Sequence, residues 1–143
     1  MISCRPISLD DLDMGPLADQ ACAEGYVFVE RMRQDWNSGD NRFDGPGERL
    51  IGAFEDETLV GFCGLNRDPY TSENAGRIRH LYVDRGHRRS GVARALVAEA
   101  LDGASASFPR IRLRATTAST GFYERLGFLP VDEPEATHTM PLR

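Results

Sequence analysis

An α/β domain around one mixed sheet is the fold class the sequence predicts, on three observations. Residues 49–66, RLIGAFEDETLVGFCGLN, read as two strands joined by an acidic turn at Glu55, Asp56 and Glu57, an antiparallel hairpin. Ala93, Leu96, Val97, Ala100 and Leu101 recur at the i, i+3, i+4, i+7, i+8 spacing of a helix facing a core. RIRHLYV before that helix and RIRLRA after it read as strands. Residues 77–115 therefore form a βαβ unit, whose strands are expected to be parallel and right-handedly connected.

The remaining elements follow in order. ISCRPIS is a short first strand, after which SLDDLD offers Ser8 or Asp10 as a helix cap. EGYVFVERMRQDW gives a second helix, with Tyr26, Val27, Val29, Met32 and Trp36 crowding one side, and NSGDNRFDGPGE is a loop by composition. Gly103 stops the long helix. Past residue 115, Thr116 or Thr117 caps a short helix with Ala118, Phe122 and Leu126 inward and Gly127 beyond its end. FLPV and ATHTMPLR close the chain as strands.

Composition bounds the function. A chain of 143 residues with 41% hydrophobic and 27% charged content suits one domain, residues 1–143. Cys4, Cys22 and Cys63 are odd in number and lack C-x-x-C spacing, which favours reduced thiols over a disulfide framework or a metal site. The start, MISCRPISLDDLD, has no apolar signal region, and no run approaches the roughly 18 apolar residues of a membrane span. The expected location is cytoplasmic. A net charge of -5 argues against nucleic acid or an anionic membrane as partner. All seventeen basic side chains are arginine, so no lysine amine is available for catalysis.

The turn DRGHRRSG joins a strand to the long helix and so sets the amides near residues 89–93 at a helix amino terminus, where free N–H groups and the dipole favour a phosphate. Arg88, Arg89 and Arg94 add charge. Two nucleotide loops fail here. Gly86 and Gly91 satisfy half of a P-loop, but Val92 and Ala93 stand where Lys and Ser or Thr are needed. A dinucleotide fingerprint needs a second glycine two residues after Gly86, and there is none.

HRRSGVARALV resembles motif A of the GNAT superfamily of acyl-CoA-dependent N-acyltransferases, Arg/Gln-x-x-Gly-x-Gly/Ala, with Arg88, Gly91 and Ala93 on the defining positions. Arg89 stands where the family usually has glycine. GFYERLGF, residues 121–128, is similar to the family's Phe-Tyr-x-x-x-Gly-Phe signature. The resemblance implies a single-domain, mostly antiparallel mixed sheet in which the strand of Leu81, Tyr82 and Val83 splays from the strand at 110–115. Acetyl-CoA, as cosubstrate, would lay its pantetheine arm along residues 81–83. Its pyrophosphate would sit on main-chain amides of Arg88, Arg89, Ser90, Gly91, Val92, Ala93 and Arg94, with Ala93 small enough to admit it and Val92 packed in the core. Ser119 stands where Ala is usual and Thr116 where many members have Asn; both can still reach the cofactor.

Tyr123 is the implied catalytic acid, a phenol placed to protonate the leaving thiolate. The base is less legible. Family members place Glu or His on the strand where this chain has Arg77 and Arg79, and a guanidinium cannot act as base. By strand alternation these arginines are expected to share a face with Leu81 and Val83, opposite His80 and Tyr82. Glu73, His138 and a water chain are the base candidates; His80 reads as structural and Cys63 as a core thiol. The implied function is acetyl transfer from acetyl-CoA to a primary amine of a small molecule or peptide terminus. The competing class is a CoA-binding regulatory or sensor module without turnover. Arg77 and Arg79 suit an acceptor with an anionic group beside its amine, or pair with an acidic neighbour such as Glu73. No metal is implied, and a homodimer is compatible with the resemblance.

Overall fold

The computed structural model describes residues 1–142. Its elements are β1 (Ile2–Pro6), α1 (Gly15–Ala23), α2 (Phe28–Ser38), β2 (Arg49–Glu55), β3 (Thr58–Arg67), β4 (Gly76–Val83), α3 (Val92–Leu101), β5 (Arg110–Leu113), α4 (Thr120–Arg125), β6 (Leu129–Glu133) and β7 (Ala136–Pro141). They build one seven-stranded sheet in the order β1-β2-β3-β4-β5-β7-β6. Among the described residues only β4 and β5 pair in parallel. This is the mixed, mostly antiparallel α/β architecture expected. The described hairpin turns through Asp56, whose φ is +54°, with Glu55 opposite Thr58.

Two apolar clusters cover the two faces. On one, Leu96, Val97 and Ala100 of α3 meet Ile51, Cys63, Leu65, Ile78 and Val83 of the sheet, with Tyr123 and Phe128 at its far end. On the other, Leu17 and Ala21 of α1 and Val29, Met32 and Trp36 of α2 meet Leu50, Phe62 and Tyr82. Val92, expected in the core, is buried.

Three local expectations are corrected. The first helix does not start from Ser8 or Asp10: the Ser8 hydroxyl accepts from the Asp10 amide in a turn, and α1 begins at Gly15, with Pro16 in its first turn. Tyr26 and Val27 lie outside α2 and are exposed, because Gly25 ends α1 in the left-handed conformation. The amide of Tyr26 returns to the carbonyl of Ala21 and that of Gly25 to Cys22, a Schellman closure that spends both residues on a connector. Ala118 is exposed in a 3-10 turn capped by Thr116, and the inward residue of α4 is Tyr123, with Phe122 half-buried.

The largest correction concerns β4. Phe62 pairs with Tyr82 but Gly64 pairs with Arg79, so His80 and Leu81 together oppose Cys63 alone, and His80 takes φ +60°. This bulge shifts the side-chain alternation by one residue. Ile78 therefore shares the α3 face with Leu81 and Val83. Arg77 and Arg79 lie on the α1/α2 face with Tyr82, not with Leu81 and Val83 as alternation predicted.

β4 and β5 pair only at Gly76↔Ile111 and Arg77↔Arg112, after which they part. A buried carboxylate sits beneath that last pair. Asp68 Oδ2 accepts from Arg112 Nη1 at 2.8 Å and from Arg77 Nη1 at 3.4 Å, and its side chain is fully buried. The expected partner, Glu73, instead binds Arg110. Asp68→Ala would strand the buried Arg77 guanidinium and leave Arg112 with Glu133 as its acidic partner, and urea unfolding should report a loss of about 3 kcal/mol; a loss under about 1 kcal/mol would show that the cluster is not what joins these strands.

Candidate active site

Where β4 leaves β5, a cavity of about 610 Å³ opens, and Leu81, Tyr82, Val83, Ala93, Ser119 and Tyr123 all line it. A second cavity of about 430 Å³ lies at the amino terminus of α3, lined by Arg89, Gly91, Val92, Ala93 and Arg94. The two share Val83, Arg88, Ala93 and Phe122, so they abut. Of the eleven residues assigned to the cofactor, only Ser90 lines neither; its hydroxyl donates to the carbonyl of His87 and ties the turn. Gly91, with φ +87°, provides the left-handed residue at which the chain enters α3. From Arg89 to Arg94 no main-chain amide donates a hydrogen bond within the described residues; the first to do so is Ala95, to Gly91. Six consecutive free N–H groups at a helix amino terminus fit a pyrophosphate. Beyond Arg77, β4 has no strand partner on its β5 side, so an extended chain can be accommodated there.

A sequence model of the acetyltransferase (GNAT) family matches residues 17–128. The chain belongs to this family. Members of that family are acetyltransferases. The fold of the chain superposes on a protein of Exiguobacterium sp. 255-15 provisionally assigned as an acetyltransferase, with a TM-score of 0.88 and 26% identity, covering 99% of this chain and 93% of that one. A GNAT-family acetyltransferase of Staphylococcus aureus Mu50 gives 0.76 at 16% identity, with both chains covered fully. An uncharacterized protein of Mycobacterium leprae, ML0378, is 36% identical over 87 residues, or 56% of this chain. The chain spans about a quarter of that curated relative, 24%. No helix among the described residues is long and apolar enough to cross a membrane.

Within this site, Tyr123 is 7% exposed, and burial pushes its phenol above the ordinary value. Its hydroxyl is not among the sealed polar atoms and has no hydrogen-bond partner among the described residues, so it is free for a ligand. Arg88 is committed elsewhere. Its two terminal nitrogens grip Glu24 at 2.9 and 2.7 Å, its Nε donates to the carbonyl of Val83 at 3.0 Å, and its carbon lies 5.4 Å from the Tyr82 ring centroid. Glu24 also accepts from the Tyr82 hydroxyl, and these bonds, Arg88's first, hold its carboxyl down at about 2. Arg88 thus anchors the turn to the end of α1 instead of lending free charge to a phosphate.

Neither side-chain base candidate reaches the cavity. Glu73 is held by Arg110, and His138 is buried between Glu124 and Thr137. His80 does line it, but burial pushes its imidazole down to about 4 and its Nε2 is sealed without a partner. Burial likewise raises the Cys63 thiol to about 12, as suits a core residue. Sequence reasoning missed Glu24 and Asp68, whose bonds to Arg88 and Arg112 span 64 and 44 positions. It also missed His87, for which Asp84 three residues earlier is a readable local signal.

His87 bridges Asp84 Oδ2 and Glu55 Oε2, each at 2.8 Å, and these carboxylates, Asp84 first, raise its pKa. A raised folded pKa makes this stabilisation complete below the unfolded value of about 6.5 and lost as pH climbs through the folded value. Thermal unfolding of the wild type should therefore fall relative to His87→Gln across that window. Parallel Tm–pH curves would show that the bridge contributes nothing.

Proposed function

We propose that this acyltransferase moves an acetyl group from acetyl-CoA to the primary amine of a small molecule or peptide terminus, in the cytoplasm, with Tyr123 as general acid. The observation that carries the reading is the junction of the two cavities, which links six free amides at α3 to the free hydroxyl of Tyr123 along the unpaired edge of β4. In this reading those amides hold the pyrophosphate, the β4 backbone at Leu81 to Val83 bonds the pantetheine arm, and Ser119 contacts it from the opposite wall.

The proton balance closes through one residue. The neutral amine attacks the thioester carbon, a C–N bond forms, the C–S bond breaks, and the leaving thiolate takes the Tyr123 proton. Transfer from a phenol held above 10 to a thiolate of about 8.5 is uphill alone. The N-protonated amide left behind is a far stronger acid than either, and it returns a proton to the Tyr123 phenolate. The products are the neutral amide, free thiol and restored Tyr123.

Tyr123→Phe should lower kcat by about 10²-fold or more while calorimetry still detects CoA binding. An unaltered kcat, where chemistry limits the wild type, removes Tyr123 from the mechanism. Saturable CoA binding with no thiol release for any amine would make the protein a CoA-binding module instead.

No carboxylate lines the larger cavity among the described residues, so the amine is drawn neutral from solution. The midpoint of kcat/KM against pH should then follow the ammonium pKa of each acceptor across a series. A midpoint fixed for all acceptors would reveal a protein base.

A further inference from the structure

Four arginines line the larger cavity and no acidic side chain does, among the described residues. Three have a carboxylate partner: Arg77 in Asp68, Arg88 in Glu24, and Arg114 in Glu135 at 3.1 Å. Arg79 makes no ion pair among the described residues and is half-buried at the β4 bulge. A half-buried guanidinium facing a cavity without a partner calls for an anion from outside.

The same cavity carries two of the large apolar side chains that the fold leaves exposed, Tyr26 at 46% and Tyr70 at 47%. Both are fixed despite their exposure. The Tyr26 ring lies 5.7 Å from Phe28 and 6.1 Å from Tyr82, and Phe28 stacks on His80 at 5.8 Å and 18°. The Tyr70 amide donates to Asp68 at 2.8 Å, and its ring lies 4.8 Å from the Arg77 guanidinium carbon. Rings held in place but open to the cavity provide apolar contact without the entropy cost of ordering them.

Resting on the acetyl-transfer reading above, we propose that the acceptor is a free aromatic α-amino acid, its carboxylate on Arg79 and its ring against Tyr26, Phe28 and Tyr70. A cavity of about 610 Å³ that also receives the pantetheine arm leaves room for a small acceptor. An α-amino acid holds amine, carboxylate and ring on adjoining atoms. In a peptide the carboxylate is no longer beside the amine, and a polyamine would meet arginines without a single carboxylate.

Acceptor-dependent thiol release tests this with L-phenylalanine, phenethylamine (which lacks the carboxylate), L-alanine (which lacks the ring), phenylalanyl-glycine and spermidine. Phenylalanine should lead each of the others in kcat/KM by about tenfold or more. Arg79→Gln should erase its lead over phenethylamine by raising its KM, and Tyr70→Ala should shrink its lead over alanine. Phenethylamine, the dipeptide, alanine or spermidine matching phenylalanine in the wild type would overturn the inference while leaving acetyl transfer intact. So would a lead over phenethylamine that survives in Arg79→Gln. No release with any amine would overturn the acetyl-transfer reading itself, and this one with it. Should a variant fail to fold, the wild-type comparison decides alone.

Discussion

The site depends on how little β4 and β5 touch. They share two residue pairs, and the second of these, Arg77 with Arg112, stands over the buried carboxylate of Asp68. One anion thus holds the two strands at their last paired position. Arg112, itself 2% exposed, has a second acidic neighbour in Glu133 of β6 at 3.3 Å, so the buried cations are matched by carboxylates from two other segments. Such a cluster is costly to assemble and costlier to break. Its effect is geometric: pairing ends at a defined residue, and beyond Arg77 that edge of β4 is left without a strand partner among the described residues.

The bulge one step further along β4 sets which side chains meet there. Opposing His80 and Leu81 to Cys63 alone puts Leu81 and Val83 with the α3 core while Arg79, His80 and Tyr82 turn towards α1 and α2. The connector between those helices then matters. Gly25 closes α1 early, which leaves Tyr26 and Phe28 to pack across His80 and Tyr82 and form one wall of the cavity. Glu24, at the same helix end, takes up Arg88, so the terminus of α1 fixes both that cavity wall and the turn that precedes α3.

Local patterns carried the sequence reading a long way. The periodicity of α3, the hairpin, the βαβ unit and the free amides before Val92 are all written within a few residues of where they act. What escaped was non-local or a matter of phase. Asp68 meets Arg112 from 44 positions away and Glu24 meets Arg88 from 64, and neither acid is marked by its neighbours. Alternation along RIRHLYV could not reveal a bulge, and a slip of one residue moves every side chain before it to the other face. That error misplaced Arg77 and Arg79 with respect to the sheet, although both do line the cavity.

The same arginines bear on how a site without a carboxylate can use an amine. An ammonium brought beside unneutralised Arg79 and out of bulk water is disfavoured twice, by like charge and by desolvation, and both lower its pKa. In the proposed reaction only the neutral amine is therefore drawn in from solution. An acceptor carboxylate on Arg79 would offset the first effect but not the second, and it would fix the position of the nitrogen. In the proposed reaction the field of the cavity therefore prepares the nucleophile, and Tyr123, kept protonated by its burial, is left with the leaving group.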